Sequence, residues 1–168
     1  MTSKKRILRL VSLVAILSIT IGLFVFTSCA KKKPEVYKIG AILPLTGNLA
    51  FLGEPERDAI KLAVEDINAA GGIKGKRLEV VIEDSKGDPK QGAMITNKFI
   101  SIDKMKAIVT SVTTIGLAAQ PICDKNKIVQ MALCMHPTIT EGSPYTFRVF
   151  DNILQESELI LRYIKNIN

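Results

Sequence analysis

Short apolar runs alternate with stretches of helical periodicity from residue 37 onward. Residues 37–43 (YKIGAIL), ended by Pro44, predict a buried strand. Residues 44–52, with Gly47 and Asn48, predict a loop. From Gly53 or Glu54 to about Ala69, the apolar residues Ile60, Ala63, Val64 and Ile67 recur at helical spacing, with acids in the first turn. Residues 77–84 (RLEVVIED) predict a second strand. Residues 89–103 predict a helix opened by proline, with Ala93, Ile95, Phe99 and Ile100 facing inward. Residues 106–110 (KAIVT) predict a third strand. Residues 111–126 predict a loop feeding a helix, with 117–122 buried. Residues 128–134 predict a fourth strand, 145–150 (YTFRVF) alternate like a fifth, and 153–167 predict a helix. The order β-α-β-α-β-α-β-β-α implies an α/β fold, a Rossmann-like parallel sheet with helices on both faces. Ligands on such sheets bind at the carboxyl ends of the strands.

The glycine-rich, basic stretch DINAAGGIKGKRLEVVIEDSKGDPKQG raises the possibility of a phosphate site. The order of elements excludes it. A phosphate-binding loop follows a strand and opens a helix, whereas Gly71 and Gly72 follow a helix and precede a strand. Gly71 or Gly72 reads as a left-handed helix cap and Gly75 as a turn residue.

Charge changes the picture at the amino terminus. Residues 1–33 hold seven Lys or Arg and no acid, so the net +7 of the whole chain belongs to them. From Pro34 onward the charges balance at 16 against 16, which removes the basic folded surface that nucleic-acid binding needs. The leader has a basic segment ending at Arg9, an uncharged and mostly apolar run over 10–26, then Thr27, Ser28 and Cys29. This is the layout of an export signal. It resembles a bacterial lipoprotein signal, which implies lipidation of Cys29, although Phe26 stands where an aliphatic residue is usual. The alternative is a retained anchor. Its 17 residues span ~25 Å as a helix, against ~30 Å of hydrocarbon. Both readings place the body outside the cytoplasmic membrane, on its outer face or in the periplasm. Residues 30–35, with three lysines, read as a tether.

Cys123 and Cys134 flank the unit of the fourth strand. They read as two small buried thiols rather than a disulfide. The chain has no Ser-His-Asp arrangement, H-E-x-x-H, C-x-x-C or nucleotide fingerprint, so an enzyme is not expected, nor a cofactor or metal. Asp84 and Asp88 read as loop-shaping residues.

Four motifs carry a resemblance: PLTG at 44–47, AVEDINAAGGIKG, the strand ending at Asp84 with DPKQ at 88–91, and FRVF at 147–150. Together they resemble the branched-chain amino-acid-binding proteins of ABC importers, of the leucine/isoleucine/valine type, within the type I periplasmic binding-protein fold. The resemblance implies two α/β lobes with the ligand between them. It implies a signal over 1–29, a tether over 30–35, a first lobe over 36–150, and the start of a second lobe over 151–168. The rest of that lobe is absent, which marks a truncated or split member.

The resemblance also directs attention to three loops: 46–52, 111–115 and 134–138. In the middle loop, a hydroxyl residue and main-chain amides would receive the ligand carboxylate. Val112, Thr113 and Thr114 stand there at a helix start, which is a ready anion site, although either threonine could simply be a cap. Cys134 and His136 stand in the third loop, where family members commonly have small residues and a Thr or Ser. Phe51 and Leu52 are candidates for the aromatic position of the first. The implied function is capture of an amino acid, of the branched-chain class, for delivery to an ABC permease by a membrane-tethered receptor. A sensor input domain and a non-functional fragment are the alternatives.

Overall fold

The computed structural model describes residues 36–167. The leader, Cys29 and the tether lie outside the described residues. The elements are β1 (Val36–Leu43), α1 (Ala50–Ala69), β2 (Arg77–Asp84), α2 (Pro89–Ser101), β3 (Ala107–Ser111), α3 (Thr113–Asn126), β4 (Val129–Leu133), a 3-10 turn (Pro137–Thr140), β5 (Thr146–Arg148) and α4 (Ile153–Ile167). The five strands form one sheet in the order β2-β1-β3-β4-β5. Every pairing is parallel, with Ile42 opposite both Glu83 and Thr110, and Ser111 opposite Leu133. The predicted order and sheet type are both present.

Right-handed crossovers put α1 on one face and α2 and α3 on the other, where those two helices pack together. The core lies on that second face. Ile42, Ile95, Phe99, Met105, Ile108, Ile115, Cys123 and Ile128 form it, all nearly inaccessible. Gly40 lets the Phe99 ring lie flat on β1, because a Cβ there would collide with the ring. Asp88 opens α2 by accepting a hydrogen bond from the Lys90 amide at 2.9 Å, with Pro89 at the first helical position. The expected inward residues of α2 are buried or half-buried.

Three expectations need correction. Helix α1 begins at Ala50, a turn earlier than Gly53, so Phe51 and Leu52 are helical and no acid lies in the first turn. Gly53 and Pro55 look like a helix start, yet both lie inside the helix. On α1, Ile60 and Val64 are half-buried but Ala63 and Ile67 are exposed. Helical spacing locates a stripe, and the burial of each residue depends on what lies opposite. On α3 the buried residues are Ile115, Gly116, Ala119 and Cys123, whereas Leu117 and Pro121 are exposed. The inward stripe at i, i+4, i+8 starts two residues earlier than the apolar run suggested.

The glycines turn the chain, as expected. Gly71 and Gly72 have positive φ, and the Gly72 amide bonds to the Ile67 carbonyl at 2.8 Å to close α1. Asn68, in α1's last turn, donates to the Leu78 carbonyl and accepts from the Leu78 amide at 2.9 and 2.8 Å, so a side chain fixes the helix end to the sheet edge. A polar link crosses the core as well. Gln130 donates to Thr110 Oγ1 and the Gly116 carbonyl, both at 2.9 Å, and accepts from Thr146 Oγ1 at 3.2 Å. With every group bonded, this buried amide joins β4, β3, α3 and β5.

Helix α4 differs from the rest. Asn152 accepts from the Leu154 amide at its start, but none of its residues is buried. Ile153, Leu154, Leu159, Ile160, Ile164 and Ile167 are all about half exposed or more.

Candidate functional site

β1 and β3 are neighbours, and their outgoing connections lead to opposite faces of the sheet. A cleft opens at such a switch point, outside the carboxyl ends of the strands. The loop leaving β1 is held by one side chain. Asp84 Oδ1, at the end of β2, accepts from the amides of Leu45, Thr46 and Lys86 at 2.8, 3.3 and 2.8 Å. Its Oδ2 accepts from Thr46 Oγ1 at 2.5 Å. Burial works to raise the Asp84 pKa, but the hydrogen bonds from Thr46, Lys86 and Leu45 prevail and hold it below the usual carboxylate range. Asp84 and Asp88 therefore shape loops, as the sequence suggested.

The clasped loop in turn seats α1. Gly53 is buried against the Pro44 carbonyl, so closely that a Cβ would collide with it. This approach places Leu52 and, one turn later, Glu56 over the cleft. On the other side, β3 passes into α3 through Val112 alone. Its φ of 69° and ψ of 134° form a conformation that a β-branched residue adopts only under strain. No side chain caps the first turn of α3, whose start at Val112 and Thr113 adjoins the cleft.

These pieces enclose a cavity of about 350 Å³ lined by Leu52, Glu56, Ser111, Val112, Thr113, Leu133, Cys134, Met135 and Phe150. Its walls are mostly apolar. Glu56 is the one ionisable carboxyl among them. Burial pushes its pKa up, and a hydrogen bond with Ser111 works the other way. Its Oε2 is screened from water and has no partner.

Of the expected site residues, the structure brings together Leu52, Val112, Thr113 and Cys134. Phe51 is 69% exposed and outside the wall. Thr114 is exposed, one position around the helix from the cavity. His136 is exposed too, and its Nδ1 meets the Thr138 amide and hydroxyl at 3.3 and 2.8 Å, opening the 3-10 turn. Ser111 and Met135 lie in two of the loops singled out from the sequence, whereas Glu56, Leu133 and Phe150 were not anticipated. Glu56 could have been found by its i, i+4 relation to Leu52, had α1 been started at Ala50. Phe150 carries no such signal. Cys123 and Cys134 are free thiols, both buried, with pKa values raised by burial to about 12 and about 11.

A parallel sheet with an uncapped helix start beside an apolar cleft at its switch point is an arrangement that can receive a small solute. Residues 36–166 match the periplasmic binding protein family, and the chain belongs to it. It is 33% identical over 134 residues to the Leu/Ile/Val-binding protein homolog 3 of Brucella melitensis, covering 75% of this chain and 35% of that protein. It resembles the branched-chain amino acid substrate-binding protein LivJ of Streptococcus pneumoniae, solved with isoleucine, at TM-score 0.67 and 30% identity. That match covers 70% of this chain and 34% of the other. A solute-binding protein of Rhodopseudomonas palustris, solved with 3,4-dihydroxybenzoic acid, gives TM-score 0.69 and 30% identity over 74% of this chain and 34% of that one. The chain thus spans about a third of the length of these relatives. Such proteins bind solutes and are not enzymes. Among the described residues, no helix is long and apolar enough to cross a membrane, and no cluster of potential metal ligands is present.

Proposed function

We propose that residues 36–150 form the ligand-binding first lobe of an extracytoplasmic receptor for an ABC importer, with 151–168 leading into a second lobe. The receptor captures a branched-chain amino acid and delivers it to the permease. It is held at the outer face of the membrane through a lipid on Cys29. The observation that carries this reading is the cavity at the switch point, where the uncapped start of α3 adjoins apolar walls. Amides at a helix start favour a carboxylate. Leu52, Val112, Leu133 and Met135 favour an aliphatic side chain. The two relatives solved with ligands hold different molecules, isoleucine and 3,4-dihydroxybenzoic acid, but both carry a carboxyl group. The shared group belongs at the helix start, and the variable part belongs against the apolar wall.

One lobe provides one wall. Calorimetric or NMR titration of the chain with leucine should give saturable binding with a dissociation constant in the millimolar range, ~4 kcal/mol, rather than the ~8 kcal/mol of a micromolar receptor. Resonances of Thr113 and Leu52 should shift. No saturable response to leucine, isoleucine or valine would refute the reading, and micromolar binding would refute the one-wall argument.

A further inference from the structure

The charge of the folded body is balanced in sequence but uneven in space. In a parallel sheet, every connection entering a strand lies at the same edge. The turns and helix ends that enter β2, β3 and β4 carry six exposed cations: Lys74, Arg77, Lys104, Lys106, Lys125 and Lys127. The acids at this edge are Asp66, Asp103, Asp124 and Glu141, and Asp124 is engaged by the Ser143 hydroxyl at 2.6 Å. Lys125 complements the dipole of α3 from its last turn. Lys74, Lys104 and Lys106 lie beyond helix ends, so that explanation does not reach them. Moreover Lys74, Lys104 and Lys127 have φ of 51°, 56° and 56°, where Gly or Asn is the less strained choice. A lysine also takes this conformation at Lys86, on the opposite edge, but the amino-end edge has one before each of three successive strands.

The chain enters this same edge, because Val36 begins β1 and pairs with Arg77 at the start of β2. Six residues separate Cys29 from Val36, and the seven Cα-to-Cα steps span at most ~25 Å fully extended. Three of the six residues are lysines. With an anchor at Cys29, the length of chain up to Val36 leaves the amino-end edge within reach of the bilayer surface.

We infer that the amino-end edge of the sheet, centred on Lys104, Lys106 and Lys127, is an electrostatic docking face for anionic lipid headgroups. It orients the lobe on its own membrane with the cavity edge turned to the medium, poised to capture solute. The inference rests on the membrane-tethered reading above.

The test uses the full acylated chain in vesicles of phosphatidylcholine alone or with about 30% phosphatidylglycerol, an anionic surface that attracts clustered lysines. An environment-sensitive probe is placed on Asn126→Cys at the amino-end edge, or on Asn48→Cys beside the cavity, and quenched by a headgroup nitroxide lipid. Cys123 is fully buried, and Cys134, which lines the cavity, is replaced by Cys134→Ala in both labelled variants so that it does not compete for label. Quenching at position 126 should exceed that at 48 at least ~3-fold on anionic vesicles, since headgroup attraction acts within a Debye length. The contrast should collapse on phosphatidylcholine, in salt of about 0.5 M, and in the K104E/K106E/K127E variant. Circular dichroism of that variant verifies its fold. The same contrast under all conditions would overturn the face, leaving orientation to the tether. Flotation with phosphatidylcholine in high salt tests the anchor separately. If the chain fails to float, the anchor reading falls, while the probe contrast on anionic vesicles still decides the face.

Discussion

The two ends of the one sheet are built on different principles. At the carboxyl ends, backbone and side chain are locked together. Asp84 clasps the loop leaving β1, Gly53 admits the Pro44 carbonyl, and Val112 is held in strain. At the amino ends the turns carry exposed lysines, and a Cβ on Gly75 would meet nothing, although Gly72 is packed against the Lys76 carbonyl and Asn68 binds α1 to Leu78. The charge differs as well. Glu54, Glu56, Asp58, Asp84, Asp88 and Asp151 outnumber Arg57, Lys86, Lys90 and Arg148 near the carboxyl ends, while cations prevail at the other. Parallel strands share a direction, so whatever the αβ turns carry accumulates at one edge and whatever the βα turns carry accumulates at the other. That is how a chain with balanced charge acquires one end that carries the cavity and one end where cations prevail.

The comparison is most severely tested by glycine. Gly53→Ala should cost about 3 kcal/mol by forcing α1 away from Pro44, while Gly75→Ala should cost about 1 kcal/mol for its positive φ alone. Urea melts of both variants check this, and similar losses would show that the two edges do not differ in packing. Asp84→Ala should cost about 2 kcal/mol, since several backbone donors lose a charged acceptor. The ionised form of Asp84 is the one the fold favours, because its folded pKa is lowered. Its contribution is complete above the unfolded value of ~3.9 and is lost as pH falls through the folded value. Asp84→Asn should therefore flatten the acid limb of a stability-versus-pH curve.

Val112→Gly should be unusual among Val-to-Gly changes. Relief of strain of about 1 kcal/mol should offset the lost side chain, giving almost unchanged stability but weaker leucine binding. A large loss of stability would show that the strain is absent. The smallest effect is expected at Glu56. Its folded pKa is raised, so the fold favours the protonated form, and stability declines as pH rises from the unfolded value of ~4.3 through the folded one. Glu56→Gln should raise the urea midpoint slightly at neutral pH and not at all below both values. A lowered midpoint at neutral pH would mean that the ionised carboxyl is stabilising.

Much of the fold could be read from local signals. The short apolar runs marked all five strands, and Pro89 after Asp88 marked the start of α2. Gly71 and Gly72 marked the end of α1 because left-handed backbone has few alternatives. The start of α1 could not be read, because its glycine is needed for a contact with Pro44 from a different element. The site was legible in the same proportion. Thr113 and Val112 follow from a helix start, and Leu52 and Cys134 from loops at strand ends. His136 resembled a site residue by type, yet its ring is used in a local turn. Glu56 and Phe150 reach the cavity from elements whose placement depends on packing.

The sequence by itself determined the order of strands and helices, the turns, and the end of the sheet at which a ligand could sit, because each follows from periodicity, backbone sterics and strand direction. Only the tertiary structure decided which side chains meet around the cavity, where Glu56 loses its water, and that cations come to outnumber acids at one edge and acids to outnumber cations at the other. Those are properties of distance between residues far apart along the chain, and local pattern carries no information about them.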